Sequence, residues 1–220
     1  MKKSSAPGPS GAAEEKLAAS GLDLQDAVLL GIDVLDAAAT AALGRPAVAS
    51  LRLNYFNPDE SPLVDPVTGA FWRLRFLGAP PGFAGKTEGG PRYVQPAKSL
   101  PHVYYPKNVE WGPLLDNVDE PIIITEGELK AACACKHGCP TIGLGGVHNW
   151  RALSKGIDWC ADLKHVKWQG RFTYICFDSD YQTNPLVCGA LREFADELER
   201  RGAATRLVTL PTLVDRKSVV

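Results

Sequence analysis

Short apolar runs recur along the second half of the chain, and helical patterns lie between them. The runs cover four segments, namely 121–125, 141–144, 172–177 and 205–210. Each has the length of a strand, and the first has the composition of a strand that is buried on both faces. A helical pattern follows the first run and ends at Gly138, and a second one, before the last run, ends at Gly202. The apolar face of this second helix is formed by Val187, Ala190, Leu191, Phe194 and Leu198. Strands that alternate with helices predict an α/β fold, with a mostly parallel four-stranded sheet flanked by helices.

The first half of the chain changes pattern twice before these runs begin. Residues 1–12 are rich in Ser, Gly, Pro and Ala, which is typical of a disordered tail. The Ala-rich residues 13–44 predict short helices that stop before Pro46. Apolar and polar positions then alternate over 51–56 and again over 71–76, as in antiparallel strands. The pattern predicts a small α+β module in front of the α/β domain.

These patterns divide the chain into four segments. They are a disordered tail (1–12), an α+β module of short helices and basic antiparallel strands (13–116), an α/β domain (117–212) and a C-terminal tail that we interpret as truncated (213–220).

Composition narrows the class of protein. Hydrophobic residues make up 45% of the chain, yet no apolar run approaches the ~20 residues of a membrane span. The N-terminal MKKSS segment is followed by Ala, Gly, Pro and Ser and lacks the apolar stretch of a signal peptide. We therefore expect a cytoplasmic protein whose six cysteines are free thiols.

A cluster of thiols and an imidazole, formed by Cys133, Cys135, His137 and Cys139, raises the question of a zinc site. Cys133 and Cys135 lie two residues apart on one predicted helix and so face different directions. No second Cys-x-x-Cys pair follows at zinc-finger spacing. We predict no zinc site and expect Cys133 to face the core.

Four aromatic and imidazole side chains in the α/β domain allow two interpretations of their role. They are His148, Trp150, Trp159 and Trp168. They could stack on bases, but such side chains more often fill the groove between helix and sheet.

Charge is distributed unevenly although the net charge is only -1. Residues 11–66 carry nine acidic and three basic side chains, whereas residues 71–110 carry six basic and two acidic ones. Arg73 and Arg75 share one face of a predicted strand. Such a surface could hold phosphates, or it could be a solvated basic loop with partners among surface carboxylates.

Three carboxylates follow strands of the predicted parallel sheet. Glu126 follows the first of the four runs, and Asp178 and Asp180 follow the third. Ligands of open parallel sheets bind at the carboxyl ends of the strands, so these side chains are expected to converge there. Unpaired, they would repel one another, and a hard cation such as Mg²⁺ would relieve this repulsion. The alternative is that Asp178 and Asp180 only turn the chain and cap the next helix.

The motifs around these carboxylates resemble Toprim domains, which topoisomerases and bacterial-type primases share. The segment IIITEGE (122–128) is similar to the strand–Glu–Gly signature of that family, particularly to its form in phage primase–helicases. FDSD (177–180) is similar to the Asp-x-Asp motif, and GLGG (143–146) to the loop after the second strand. Upstream segments are similar to Toprim-like proteins of phages, plasmids and integrated elements, namely YFNPD (55–59), FWRLRF (71–76), RYVQP (92–96) and VYYP (103–106). The resemblance covers roughly residues 17–210.

The resemblance implies roles for individual residues. Glu126 corresponds to a general acid/base or metal-positioning residue, Asp178 and Asp180 to ligands of Mg²⁺ (or Mn²⁺), and Glu128 to a secondary carboxylate ligand. A second set corresponds to positions that contact nucleic acid or nucleotide phosphates, namely Arg73, Arg75, Arg92, Lys130, Gly145 and Gly146. For the two glycines the alternative is a tight turn that needs a positive φ.

Two departures from the family pattern affect this interpretation. Bacterial-type primases usually have Asp four residues after the catalytic Glu, and here that position is Lys130. A cation there would neutralise part of the metal site or contact a phosphate directly. Related sequences also continue beyond the position at which this chain ends.

The implied function is primase-like nucleotidyl transfer with Mg²⁺ in the replication of a mobile genetic element. The implied partners are single-stranded template DNA, nucleoside triphosphates and a helicase or replication protein. A Toprim nuclease, and a catalytically degenerate module that binds DNA or docks a helicase, remain alternatives. The chain lacks the Gly-x-x-x-x-Gly-Lys-Ser/Thr motif, so we predict no helicase motor within it.

Overall fold

The structure, a computed structural model, describes residues 8–80, 91–178 and 184–210. It divides into two compact units. The first comprises Met1–Leu100 and Tyr105–Asn108, and the second comprises Pro101–Tyr104 and Val109–Val220.

An antiparallel sheet forms the centre of the first unit. In chain order the elements of this unit are α1 (Pro9–Ala18), α2 (Leu24–Leu29), β1 (Ile32–Leu35), α3 (Ala37–Ala42), β2 (Ser50–Asn54), β3 (Val64–Asp65), β4 (Gly69–Ala70), β5 (Trp72–Phe76) and β6 (Tyr93–Val94). The sheet has the order β1-β2-β5-β6, and every pair in it is antiparallel. Leu51, Leu53 and Leu74 are fully buried in it. The prediction of an antiparallel sheet in this part of the chain is confirmed.

The N-terminal segment differs from the predictions at two places. Helix α1 begins at Pro9, inside the predicted disordered tail, of which residues 1–7 lie outside the described residues, and its Leu17 is fully buried. Strand β1 lies where only helices were predicted, because pairing with β2 outweighs the helical preference of the local sequence. Gly31 separates α2 from β1 with a φ of 67°, and a Cβ there would lie 2.8 Å from the Phe56 ring. A side chain at this position would therefore oppose the turn from helix to strand.

A mostly parallel sheet forms the centre of the second unit. Its elements are β7 (Val103–Tyr104), α4 (Trp111–Asp116), β8 (Ile122–Glu126), α5 (Glu128–Lys136), β9 (Thr141–Leu144), β10 (Phe172–Cys176), α6 (Pro185–Arg200) and β11 (Ala204–Leu207). The strand order is β11-β10-β8-β9-β7, and all pairs are parallel except β7 with β9. The parallel sheet flanked by helices is confirmed, but the predicted number of four strands was wrong because β7 adds a fifth at the edge.

Strand β7 is held by a carboxylate that is distant in sequence. The Val103 amide donates to Asp162 Oδ2 at 2.8 Å, and His102 Nδ1 lies 3.0 Å from the same oxygen. Both side chains of this His–Asp pair are buried. Strand β7 has only two residues, so its own sequence carries little strand signal.

Helix α6 packs its apolar face against an aromatic cluster. Phe194 stacks on Trp150 with ring centroids 5.4 Å apart, and Trp159 contacts Trp168 edge-on at 6.1 Å. All three tryptophans are buried, whereas His148 is exposed. The tryptophans therefore belong to the core rather than to a surface for stacking on bases. No helix in the described ranges has the length and apolarity that crossing a bilayer requires.

A buried guanidinium joins three segments of the second unit. Arg171 is fully buried, and its nitrogens donate to the carbonyls of Leu115 at 2.7 Å, Glu120 at 2.6 Å and Lys167 at 2.8 Å. The Leu115 carbonyl lies in the last turn of α4, where helix carbonyls lack partners within the helix. Arg171 thereby ties the end of α4 to the segments that lead into β8 and β10.

We expect Arg171→Met to lower the free energy of unfolding by about 3 kcal/mol or more, because the hydrogen bonds of the guanidinium to the Leu115, Glu120 and Lys167 carbonyls are lost. Arg171→Lys should recover only part of the loss, since an ammonium cannot reproduce the planar fork. Urea unfolding followed by tryptophan fluorescence measures both. Arg192→Met, at an exposed position of α6, is the matched control. A loss for Arg171→Met as small as that of the control would contradict this role.

Candidate functional site

A tight strand–helix connection places Glu126 at the carboxyl edge of the sheet. Glu126 is the last residue of β8, and Gly127 turns the chain into α5 with a φ of 98°. The Gly127 amide donates to the Leu144 carbonyl at 2.7 Å, which fixes the turn to the end of β9. A Cβ at Gly143 would lie 3.3 Å from the Gly127 carbonyl oxygen. The glycine in β9 therefore allows this strand to approach the turn closely.

The ends of β8 and β10 are joined by a side-chain hydrogen bond. Thr125 lies opposite Cys176 in the parallel register, and its hydroxyl donates to the Cys176 carbonyl at 2.7 Å. Two residues beyond Cys176, the Asp178 amide donates to Glu126 Oε1 at 3.2 Å. The structure thus brings Glu126 and Asp178 together at one edge of the sheet. The predicted ligand Asp180 lies outside the described residues.

Lys130 completes this group of charges. It lies in the first turn of α5, and its Nζ forms an ion pair with Asp178 Oδ1. The two side chains are 49% and 52% exposed, so the pair is open to solvent and to a ligand. We call Glu126, Lys130 and Asp178 the edge triad.

The surroundings of Glu126 disfavour its charged form. Burial raises the pKa of the Glu126 carboxyl, and the negative charge of Asp178 adds to the rise. The hydrogen bond from the Asp178 amide and the charge of Lys130 act in the opposite direction, and the net shift is upward. A carboxyl group with a raised pKa exchanges a proton more readily near neutral pH than an ordinary one.

Glu128 differs from the residues of the edge triad in its burial. Its side chain is fully buried, and its charge contributes, after burial itself, to a raised pKa of the buried Tyr104 phenol in β7. The role of Glu128 as a secondary metal ligand remains a prediction. Within the described ranges, which omit Asp180, no group of three or more His, Cys, Asp and Glu side chains has the arrangement of a metal site.

The glycine loop after β9 lies next to the turn at Gly127. Gly146 has a φ of 151°, and its carbonyl accepts a hydrogen bond from the Asn149 amide at 2.9 Å. Gly146 therefore satisfies the alternative interpretation of a turn that needs a positive φ. The role of Gly145 and Gly146 as a cradle for phosphate remains a prediction.

The thiols of α5 differ from the expectation. Cys135, rather than Cys133, faces the core, because its sulfur exchanges hydrogen bonds with the backbone of Thr141, with the amide donating at 3.2 Å. Cys133 is half-buried and Cys139 is exposed. Burial raises the pKa of the Cys135 thiol to about 12, so this cysteine is a packing residue.

The predicted phosphate-binding arginines lie in the first unit. The guanidinium groups of Arg73 and Arg75 lie 5.1 Å and 5.3 Å from the centre of the Tyr93 ring, which shows that both share one face of β5. Arg75 also lines a groove of about 490 Å³ together with Arg92 and Lys16. Glu15 lines the same groove, so its charge is mixed, and the role of these arginines in binding phosphates remains a prediction.

Two contributors to the site carry weak sequence signals. Thr125 is the penultimate residue of β8 and resembles any strand residue, although its hydroxyl fixes the neighbouring strand end. Gly143 is a glycine inside a strand, and such glycines mark close backbone approaches. The glycine at position 143 could therefore have been predicted to matter from the sequence. The role of Thr125 becomes visible only when the register of β8 with β10 is known.

Comparisons with known proteins give a fold and a family. No curated protein matches the sequence. The catalytic core of E. coli primase matches over 94% of this chain and 67% of its own length, with a TM-score of 0.54 and 11% sequence identity. At this identity the match shows a primase-like fold and no more.

A family model described as a domain of unknown function, DUF3854, matches residues 110–219. The matched region spans half of the 220 residues and includes all three residues of the edge triad. The chain therefore belongs to the DUF3854 family.

Proposed function

We propose that the second unit is a Toprim-type catalytic unit for Mg²⁺-dependent nucleotidyl transfer on nucleic acid, of the kind that synthesises primers. The observation that carries this proposal is the convergence of Glu126 and Asp178 at the carboxyl edge of a parallel sheet. The primase-like fold supports it. Replication of a mobile genetic element rests on the resemblance of the sequence motifs alone.

The donor set fits a hard divalent cation. Mg²⁺ is usually held by one or two protein carboxylates, waters and substrate phosphates, and Glu126 and Asp178 provide two neighbouring carboxylates. The raised pKa of Glu126 indicates a negative charge that a cation would stabilise. Asp180 is proposed as a further ligand. When bound, Mg²⁺ or Mn²⁺ would neutralise the charge that develops on phosphate oxygens.

The residues of the edge triad have distinct proposed roles. Glu126 either accepts the proton of the attacking hydroxyl group or helps to position the cation. Asp178 holds the cation, and Lys130 stabilises negative charge on the phosphate. In the first unit, Arg73, Arg75 and Arg92 would hold phosphates of the single-stranded template or of the nucleoside triphosphate.

A non-catalytic module is the second candidate, and the Lys130–Asp178 ion pair favours it. The ammonium occupies a carboxylate that the catalytic proposal assigns to metal. A protein of this kind would bind DNA or dock a helicase without turnover. A Toprim nuclease would use the same carboxylates as the proposed primase, so only the reaction product separates these two activities.

We expect Glu126→Gln and Asp178→Asn each to reduce primer synthesis on single-stranded DNA, with Mg²⁺ or Mn²⁺ present, by about 100-fold or more. Asp196→Asn, an exposed carboxylate on α6, should keep the wild-type rate. The same proteins are incubated with labelled DNA to detect cleavage. Cleavage without synthesis, lost in the same two variants, would assign the nuclease. DNA binding that persists in every variant, with neither product formed, would assign the non-catalytic module.

We expect Glu126→Gln to raise the melting temperature of the metal-free protein at pH 7. The folded state raises the pKa of Glu126, so folding favours the protonated form, and this contribution to stability is lost as the pH rises through the raised pKa. Below the ordinary glutamate pKa of about 4.3, both proteins are neutral at this position, and the difference should shrink. Melting curves at both pH values in a chelator measure it, with Glu199→Gln, exposed on α6, as control. A lower melting temperature at pH 7 would contradict this prediction.

A further inference from the structure

Lys130 is a cation that the fold holds inside the proposed metal site. The turn at Gly127 starts α5 directly after Glu126, so Lys130 emerges from the first turn of the helix beside both carboxylates. Its Nζ pairs with Asp178 Oδ1, and its charge also acts on Glu126. The single positive charge of Lys130 therefore balances part of the negative charge of the site in the absence of metal.

The ion pair between Lys130 and Asp178 can be broken without a large loss of stability. Both side chains are about half exposed, at 49% and 52%, and exposed ion pairs contribute little to stability. Lysine is also a compact charge on a flexible four-carbon stem, so its ammonium can move without displacing the helix. A divalent cation would compete with it for Asp178, and the released ammonium would then need another anion.

A phosphate group is the anion that fits this position. The amino terminus of α5, which has nine residues, adds the positive end of its dipole to the charge of Lys130. The surrounding carboxylates of Glu126 and Asp178 exclude a second anion unless a divalent cation is bound between them and that anion. Phosphate and metal should therefore bind together more tightly than either binds alone.

We propose that Lys130 couples metal binding to phosphate binding: it pairs with Asp178 in the empty site and moves to the phosphate of the substrate when a divalent cation takes Asp178. This inference rests on the proposed function and deepens it. It assigns the site a ligand that carries phosphate, either a nucleoside triphosphate or a nucleic-acid strand. It also explains how a lysine can lie where bacterial-type primases have an aspartate without abolishing a metal site.

The test compares the wild type with Lys130→Met, Lys130→Arg and Lys136→Met. Lys136 is an exposed lysine at the other end of α5, so its variant removes the same charge from the same helix. Mn²⁺ binding is measured by electron paramagnetic resonance of the free ion. Binding of labelled oligo(dT) and of a fluorescent ATP analogue is measured by anisotropy, with and without Mn²⁺. Melting curves establish that each variant is folded.

We expect Lys130→Met to bind Mn²⁺ about tenfold more tightly than the wild type, because a neighbouring positive charge is removed. In the presence of Mn²⁺ it should bind the phosphate probe about tenfold more weakly, because the cation that meets the phosphate is lost. Lys136→Met should match the wild type, and Lys130→Arg should stay within a few-fold of it. The probe that responds identifies the source of the phosphate, strand or nucleotide.

The two effects of Lys130→Met have opposite signs, which a general loss of structure would not produce. Equal Mn²⁺ affinity in the wild type and Lys130→Met, or a loss of both kinds of binding in this variant, would overturn the inference. In either case Mn²⁺ binding by the wild type would leave the proposed function standing. Absence of Mn²⁺ binding in all four proteins would overturn both.

Discussion

The parallel pairing of β8 with β10 is the constraint on which the candidate site depends. The register places Thr125 opposite Cys176, and the hydrogen bond between them joins the two strand ends. Glu126 and Asp178 are separated by 52 positions in sequence, yet this pairing delivers them to one edge. Arg171 supports the arrangement from the opposite ends of the strands, because it fixes the segments that lead into β8 and β10. A change in the register of this strand pair would separate the carboxylates without altering either of them.

Charges of both signs lie close together at the edge of the sheet. Glu126 is held where its charge is disfavoured, and the nearby Asp178 increases that penalty. Lys130 offsets part of that penalty through its ion pair with Asp178 and its charge near Glu126. In the proposed function, a divalent cation would replace the ammonium at Asp178. Groups with such opposed surroundings are common at functional sites.

Much of the second unit could be predicted from sequence because its signals are local. The isoleucines of β8, the glycine that turns the chain at residue 127 and the apolar face of α6 each determine their element within a few residues. The elements that were not predicted depend on residues that are distant in sequence. Strand β7 pairs with β9 and is held by Asp162, and β1 pairs with β2. The role of Glu128 was assigned from the resemblance to the Toprim signature, and its burial could not be predicted from that signature.

Calorimetry with Mg²⁺ or Mn²⁺ shows whether the carboxylates at this edge bind a divalent cation. The wild type is compared with the triple variant Glu126→Gln, Asp178→Asn, Asp180→Asn, and with Asp196→Asn, Glu199→Gln as a control for the loss of exposed carboxylates on α6. We expect the wild type and the control to bind the ion and the triple variant not to bind it. A folded wild type that binds neither ion, or a triple variant that binds as well as the wild type, would contradict this expectation.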